Sequence, residues 1–173
     1  MLTAKDYAMY YFAYGSNLST KRLRQRIASA RFISVVPLTA HQLRFHKRSS
    51  DLSAKCDIHE TGNPGDQVHG VVFEIMDSDK RVLDGYEGLG HGYEEKQVLL
   101  TVSSGERIKA VTYYATHIDE SLQPYHWYKH HVLTGALEHG FPEPYVLAIR
   151  NILSIDDPDP ERHAREMAIY TSA

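Results

Sequence analysis

The chain has 173 residues, with 22 acidic and 19 basic side chains and a net charge of −3. Hydrophobic residues make up 42% and charged ones 24%; this is the balance of an ordinary globular protein and not of a basic nucleic-acid binder. Twelve Tyr, five Phe and one Trp argue against disorder, and one cysteine, Cys56, rules out a disulfide scaffold.

The length fits one domain over residues 1–173. Apolar runs are too short for a membrane helix. The opening MLTAKDYAMYYFAYGSN lacks the basic start and long apolar stretch of a signal peptide. These features predict a cytoplasmic chain that binds neither membrane nor nucleic acid.

Residues 9–14, MYYFAY, are aromatic and stop at Gly15, which predicts a strand ending in a tight turn. Ser16, Asn17 and Ser19 offer capping oxygens for a helix that starts near Thr20 and runs through TKRLRQRI. Residues 33–38 and 41–46 are expected strands; in the second, Leu43 and Phe45 alternate with polar neighbours. Residues 49–65 are polar and end in a turn, Gly62-Asn63-Pro64-Gly65. Residues 68–76, VHGVVFEIM, read as the strongest strand, with Val71, Phe73 and Ile75 on one face and Glu74 on the other. Asp77 and Ser78 can cap a short helix, DKRVLDGYEG, ended by Gly88. Gly85, Gly88, Gly90 and Gly92 then make a dense loop around His91. Residues 94–102 and 108–116 are expected strands joined by SSGE. A helix over 125–139 ends at Gly140, Pro142 and Pro144 open another to residue 153, and DDPDPERHAREMAIY predicts a capped, weakly anchored tail helix.

Strands first and longer helices last describe an α+β fold. Twisted, mostly antiparallel strands in this number are expected to close into a small mixed β-barrel flanked by helices.

Two segments carry chemistry. In YFAYGSNL, a strand runs through Gly15-Ser16-Asn17 into a helix. Such a turn presents backbone N–H groups and a positive helix end, suited to a carboxylate, a phosphate or an oxyanion; a plain capped connection is the structural alternative. A nucleotide loop is unsupported, since no second glycine is followed by Lys and Ser or Thr. In LDGYEGLGHGY, Glu87 sits between a helix end and a glycine-rich loop, beside Tyr86 and Tyr93. Partial burial there would suit proton transfer, and a solvated carboxylate is the alternative. The eleven histidines include His126, His130 and His131, but Trp127 follows His126 where a zincin helix carries Glu. No metal site is expected. Cys56 has no histidine-partner motif around it and reads as a bystander.

YFAYGSNL, a later GVVF strand, then LDGYEG with Tyr93 following, resembles the gamma-glutamylcyclotransferase family. PGDQVHGVVFEI and YKHHVLTGALEHGFPEPYVLAI extend the resemblance over residues 11–153. It implies a small mixed barrel flanked by helices. It also implies cyclisation of a γ-glutamyl group to 5-oxoproline, with release of an amino acid or amine and no metal or redox cofactor. On this resemblance Glu87 matches the catalytic acid/base. Tyr11, Phe12, Ala13, Tyr14, Gly15, Ser16 and Asn17 match the segment that cradles the γ-glutamyl group, and Tyr128 matches a tyrosine that reaches it from the C-terminal half. The partner is then a small γ-glutamyl molecule: an amino-acid, ε-lysine or amine conjugate, or an antibiotic intermediate. Glutathione-specific relatives usually carry YGSL in place of YGSN. Two other readings share these motifs: a silent or repurposed member that binds a small ligand, and an interaction protein of the same fold. Arg44, His46, Lys47 and Arg48 either face an acidic leaving group or form a solvated face.

Overall fold

The computed structural model describes residues 7–171. The single-domain expectation over 1–173 therefore extends past the described residues at both ends.

Among the described residues, seven strands and five α-helices follow in the order β1 (Ala8–Ala13), α1 (Thr20–Arg26), β2 (Arg31–Thr39), β3 (His41–Arg48), β4 (Ala54–Glu60), β5 (Gln67–Met76), α2 (Asp77–Glu87), β6 (Tyr93–Thr101), β7 (Arg107–Ala115), α3 (His126–Glu138), α4 (Glu143–Asn151) and α5 (Pro160–Met167). Five strands form one sheet in the order β2-β5-β1-β7-β6, and β3 and β4 pair as a separate hairpin. The pairing is antiparallel except between β1 and β7, which run parallel with Tyr10 opposite Ala110 and Tyr11 opposite Val111. The α+β class holds, and the barrel expectation is corrected. The edge strands β2 and β6 approach each other without a ladder, linked by the Ser103 amide donating to Ser34 Oγ at 3.2 Å.

β1 lies at the centre because its residues are buried without interruption from Tyr11 to Ala13. Phe12 is wholly buried, and β5 accommodates it with Gly70, where a Cβ would come within 2.7 Å of the Ala13 carbonyl. α3 approaches the turn after β1 through Gly135, where a Cβ would lie 2.6 Å from the Ser19 amide nitrogen. Leu18, Leu23, Phe73, Leu83 and Val132 complete the middle of one continuous core.

β4 falls inside the segment read as polar loop. Its inward residues are the modest Ala54, Cys56 and Ile58, and Asp57 is buried as well, so the alternation was weak. Ser16 and Asn17 do not cap α1; they form a 3₁₀ turn, Ser16–Leu18, and Ser19 takes the cap by accepting from the Arg22 amide at 3.4 Å. α2 begins directly where β5 ends, with Met76 in the cap position, so Asp77 and Asp79 lie in its first turn, where the helix dipole favours negative charge.

The tail is not weakly anchored. Asp159 caps α5 by accepting from the Arg162 amide at 3.0 Å. Glu166 then pairs with Arg22 of α1, and Asp157 accepts from Trp127 Nε1 at 2.7 Å and from Arg162. α5 buries no residue fully, though Met167 packs against the core; the polar bonds that add to this contact are what apolar patterning cannot reveal.

Candidate active site

The turn after β1 brings two helix ends together. Gly15 has φ −108° and ψ −135°, and a Cβ on it would lie 3.0 Å from Cys56 Cβ. A side chain here would push β4 away from the turn. The 3₁₀ turn closes with Leu18 N–H donating to Gly15 O at 3.0 Å. Among the described residues no backbone acceptor takes the amides of Gly15, Ser16 or Asn17, as an anion-binding turn requires.

Glu87 is the last residue of α2. Gly88 ends that helix in the left-handed conformation, φ 69° and ψ 49°, which glycine adopts at low cost. Asn17 Nδ2 donates to Glu87 Oε1 at 2.9 Å and to the Tyr11 hydroxyl at 3.0 Å. Arg26, in the last turn of α1, donates to Asn17 Oδ1 at 3.1 Å and to Glu87 Oε1 at 3.2 Å, with its guanidinium over the Tyr86 ring. The Glu87 side chain is 17% exposed. Its Oε2 makes no hydrogen bond among the described residues. The carboxylate is thus held through one oxygen, and the other remains open to a ligand.

A narrow cavity lies between this carboxylate and the turn, walled by Gly15, Ser16, Asn17, Cys56, Glu87 and five tyrosines, Tyr11, Tyr14, Tyr93, Tyr113 and Tyr128. Burial pushes the phenols well above the usual tyrosine range, so all five stay neutral. Three of them have their protons committed: Tyr14 donates to Tyr113 O, Tyr113 to Asp84 and Tyr93 to Cys56 O. Tyr11 instead accepts from Asn17, which leaves its O–H able to donate; Tyr128 accepts from the Cys56 amide at 2.9 Å, and its O–H meets the Cys56 thiol, a weak acceptor that a ligand oxygen can replace. Burial also pushes the Cys56 thiol up, away from thiolate chemistry. Glu87 is the one carboxyl on this wall.

Of the residues expected to cradle a ligand, Tyr11, Tyr14, Gly15, Ser16, Asn17 and Tyr128 line the cavity together with Glu87. Phe12 and Ala13 do not. They turn into the core, and the Phe12 carbonyl accepts from Thr112. Glu74 faces away and pairs with Arg31. Arg26 was missed, although its place four residues after Arg22 puts both arginines on one side of α1. Cys56 and Tyr113 belong to the wall through long-range packing that no local pattern carries. The histidines His126, His130 and His131 diverge: His126 meets Ser154, His130 lies against Tyr170, and His131 is buried between Arg22 and Glu166. His46, Asp57 and His59 bring ligand atoms within 4.8 Å of one another. Asp57 there already uses both oxygens, accepting from His46 Nε2 at 2.8 Å and the Ala115 amide at 2.7 Å.

Fold and cavity together define a small-molecule site with one carboxylate, neutral phenols and open backbone amides, an arrangement for proton transfer on a polar ligand. Residues 67–149 match the AIG2-like family. The gamma-glutamylcyclotransferases of Bos taurus and Homo sapiens are each 36% identical to this chain over 148 residues, covering 82% of it and 77% of the relative. A solved structure of a gamma-glutamyl cyclotransferase superposes with a TM-score of 0.81 at 30% identity, covering 96% of this chain and all of that one. The chain belongs to the gamma-glutamylcyclotransferase family.

Proposed function

We propose that the chain cyclises γ-glutamyl amino acids or amines to 5-oxoproline and releases the free amine, with Glu87 as general acid and base. The observation that carries this reading is the position of Glu87. Among the described residues it is the only carboxyl on the wall of the deep cavity, and it also borders the adjoining outer chamber.

The substrate supplies both reacting groups. Its α-nitrogen attacks its own γ-carbonyl, a lactam C–N bond forms, and the amide C–N bond to the leaving amine breaks. No protein nucleophile is needed. From α-ammonium to lactam N–H the attacking nitrogen loses two protons, and the leaving nitrogen gains two. A single carboxylate between them can carry both in turn, a role that typically supplies about 10²- to 10⁴-fold. Glu87 Oε2 is the atom for this task, since Oε1 is held by Asn17 and Arg26. The amides of Gly15, Ser16 and Asn17 serve the α-carboxylate, and the Tyr11 and Tyr128 hydroxyls are donors for the oxygen of the tetrahedral intermediate. Folding the γ-glutamyl chain back on itself inside the cavity brings its two ends into reacting distance. The reaction itself calls for no metal or redox group. A buried cysteine without a disulfide partner fits a reducing compartment such as the cytoplasm.

The test is release of 5-oxoproline from a panel of γ-glutamyl amino acids, γ-glutamyl-ε-lysine and glutathione. Turnover of at least one conjugate is expected. Folded protein that turns over none of them, at enzyme concentrations sufficient to detect one turnover per hour, overturns the reading.

A further inference from the structure

The chamber outside the deep cavity is bordered by four cations, Arg22, Arg26, Lys47 and Lys55. Three have a carboxylate each. Arg22 pairs with Glu166, Arg26 with Glu87 at 3.2 Å, and Lys55 with Asp51 at 2.8 Å. Lys47 has none: among the described residues no ion pair or hydrogen bond takes its ammonium, although the residue is only 7% exposed. Burial draws the Lys47 pKa below the usual lysine range, and the charges of Glu87 and Asp51, both beyond ion-pair distance, offset this only in part.

The backbone directs that side chain into the chamber. β3 carries a bulge between Phe45 and Lys47, so His46 and Lys47 are both buried although they are consecutive. Bulges of this kind re-aim side chains next to binding sites. The ammonium lies 4.7 Å from the centre of the Tyr93 ring, and it passes Gly92, where a Cβ would be 3.0 Å from Lys47 Cε. Gly92 has φ 119°, a conformation that further favours glycine. A bulge and a glycine thus accommodate one buried, unmatched positive charge on the chamber beside Glu87.

Resting on the cyclotransferase reading, we propose that Lys47 is a specificity-determining residue that binds a carboxylate on the leaving group, so that γ-glutamyl amino acids are favoured over γ-glutamylamines. The substrate's other carboxylate, on the γ-glutamyl α-carbon, belongs to the amides of the Gly15–Asn17 turn in the deep cavity, whose wall does not include Lys47. The chamber holds one unmatched cation, and an amino-acid leaving group brings one carboxylate. Of the four basic residues in the β3 segment, only Lys47 has this role. Arg44 bonds Gln42 and approaches Glu120, His46 bonds Asp57, and Arg48 is exposed.

The experiment compares kcat/KM for γ-glutamyl-alanine and γ-glutamyl-alaninamide, which differ in the leaving-group carboxylate alone. The wild type is expected to favour the acid by about thirtyfold, the effect of losing one partner of a buried charge pair. Lys47→Met keeps the apolar stem, and the ratio should fall to about threefold or less, mainly through KM. Lys47→Arg should keep most of the preference. Thermal melts of both variants establish that they fold. A wild type without the preference, or a preference unchanged in Lys47→Met, overturns the proposal. If neither compound yields 5-oxoproline, the cyclotransferase reading has failed separately, and the same pair is titrated by calorimetry. Tighter binding of the acid that Lys47→Met abolishes then supports the carboxylate subsite, and equal affinities overturn it.

Discussion

Asn17 is the residue on which the geometry around Glu87 converges. One amide group serves three partners: its Nδ2 donates to Glu87 and Tyr11, and its Oδ1 accepts from Arg26. It therefore fixes the carboxylate, the phenol and the guanidinium relative to one another. Asn17→Ala removes the bonds to Tyr11 and Arg26 and, most directly for the chemistry, the one to the Glu87 carboxylate, worth about 1.5–3 kcal/mol. If that bond counts fully in the transition state, kcat should fall about 10- to 100-fold. Steady-state kinetics on the best γ-glutamyl substrate read the effect. A kcat within twofold of wild type would show that Arg26 alone positions Glu87.

At the scale of elements, two glycines inside helices, where local propensity disfavours them, have opposite surroundings. Gly135 interrupts α3, a helix of 13 residues, and allows it to lie against the 3₁₀ turn Ser16–Leu18. Gly135→Ala should destabilise the protein by about 1–3 kcal/mol through overpacking and disturb the turn that carries Ser16 and Asn17. Gly85, in α2, is exposed with no atom within 4 Å of a Cβ. Gly85→Ala should stabilise by about 0.5–1 kcal/mol, the ordinary helix preference. Urea melts of the two variants test the contrast, and equal shifts of one sign would contradict it. The same elements explain what could be read from the chain. The β1 turn and the end of α2 were legible because Gly15 ends an aromatic run and Gly88 stands where a capped helical stretch needs a left-handed stop. β4 was not, because buried Ser53 and Asp57 flank or interrupt its apolar residues. The meeting of Asn17 with Glu87, 70 positions apart, became visible in sequence only through the joint occurrence of YGSN and EG, since spacing alone cannot encode a tertiary contact.

For the molecule as a whole, the C-terminal segment ties the helices together through titratable groups. His131 Nδ1 bonds the Tyr170 hydroxyl, and its Nε2 lies 3.0 Å from both Arg22 Nη1 and Glu166 Oε2. Burial holds His131 down to about 4, below its ordinary 6.5. Burial works against the Glu166 charge, but His131 and Arg22 outweigh it and hold that carboxyl down to about 2 from 4.5. Both folded values lie below the unfolded ones, so in acid the unfolded chain binds protons first. Stability should decline as pH falls from about 6.5 toward 4 through His131, and below about 4.5 through Glu166. His69 and His130, also lowered by burial, add in the same direction. Thermal melts between pH 7 and 5 should therefore show a falling Tm, with a smaller slope in His131→Gln. A Tm that rises on acidification, or a slope untouched by that substitution, would contradict this account of the tail.

The central claim is that one carboxylate moves the protons of an intramolecular cyclisation. The most direct measurement is 5-oxoproline release by wild type and by Glu87→Gln, on the same γ-glutamyl substrate and at matched folded concentration. Gln keeps the shape and the hydrogen bond from Asn17 but cannot accept the proton. The account predicts an unchanged melting profile and turnover lower by about 10²-fold or more. Glu87→Gln turning over at the wild-type rate would contradict it and move the proton-transfer role to another group.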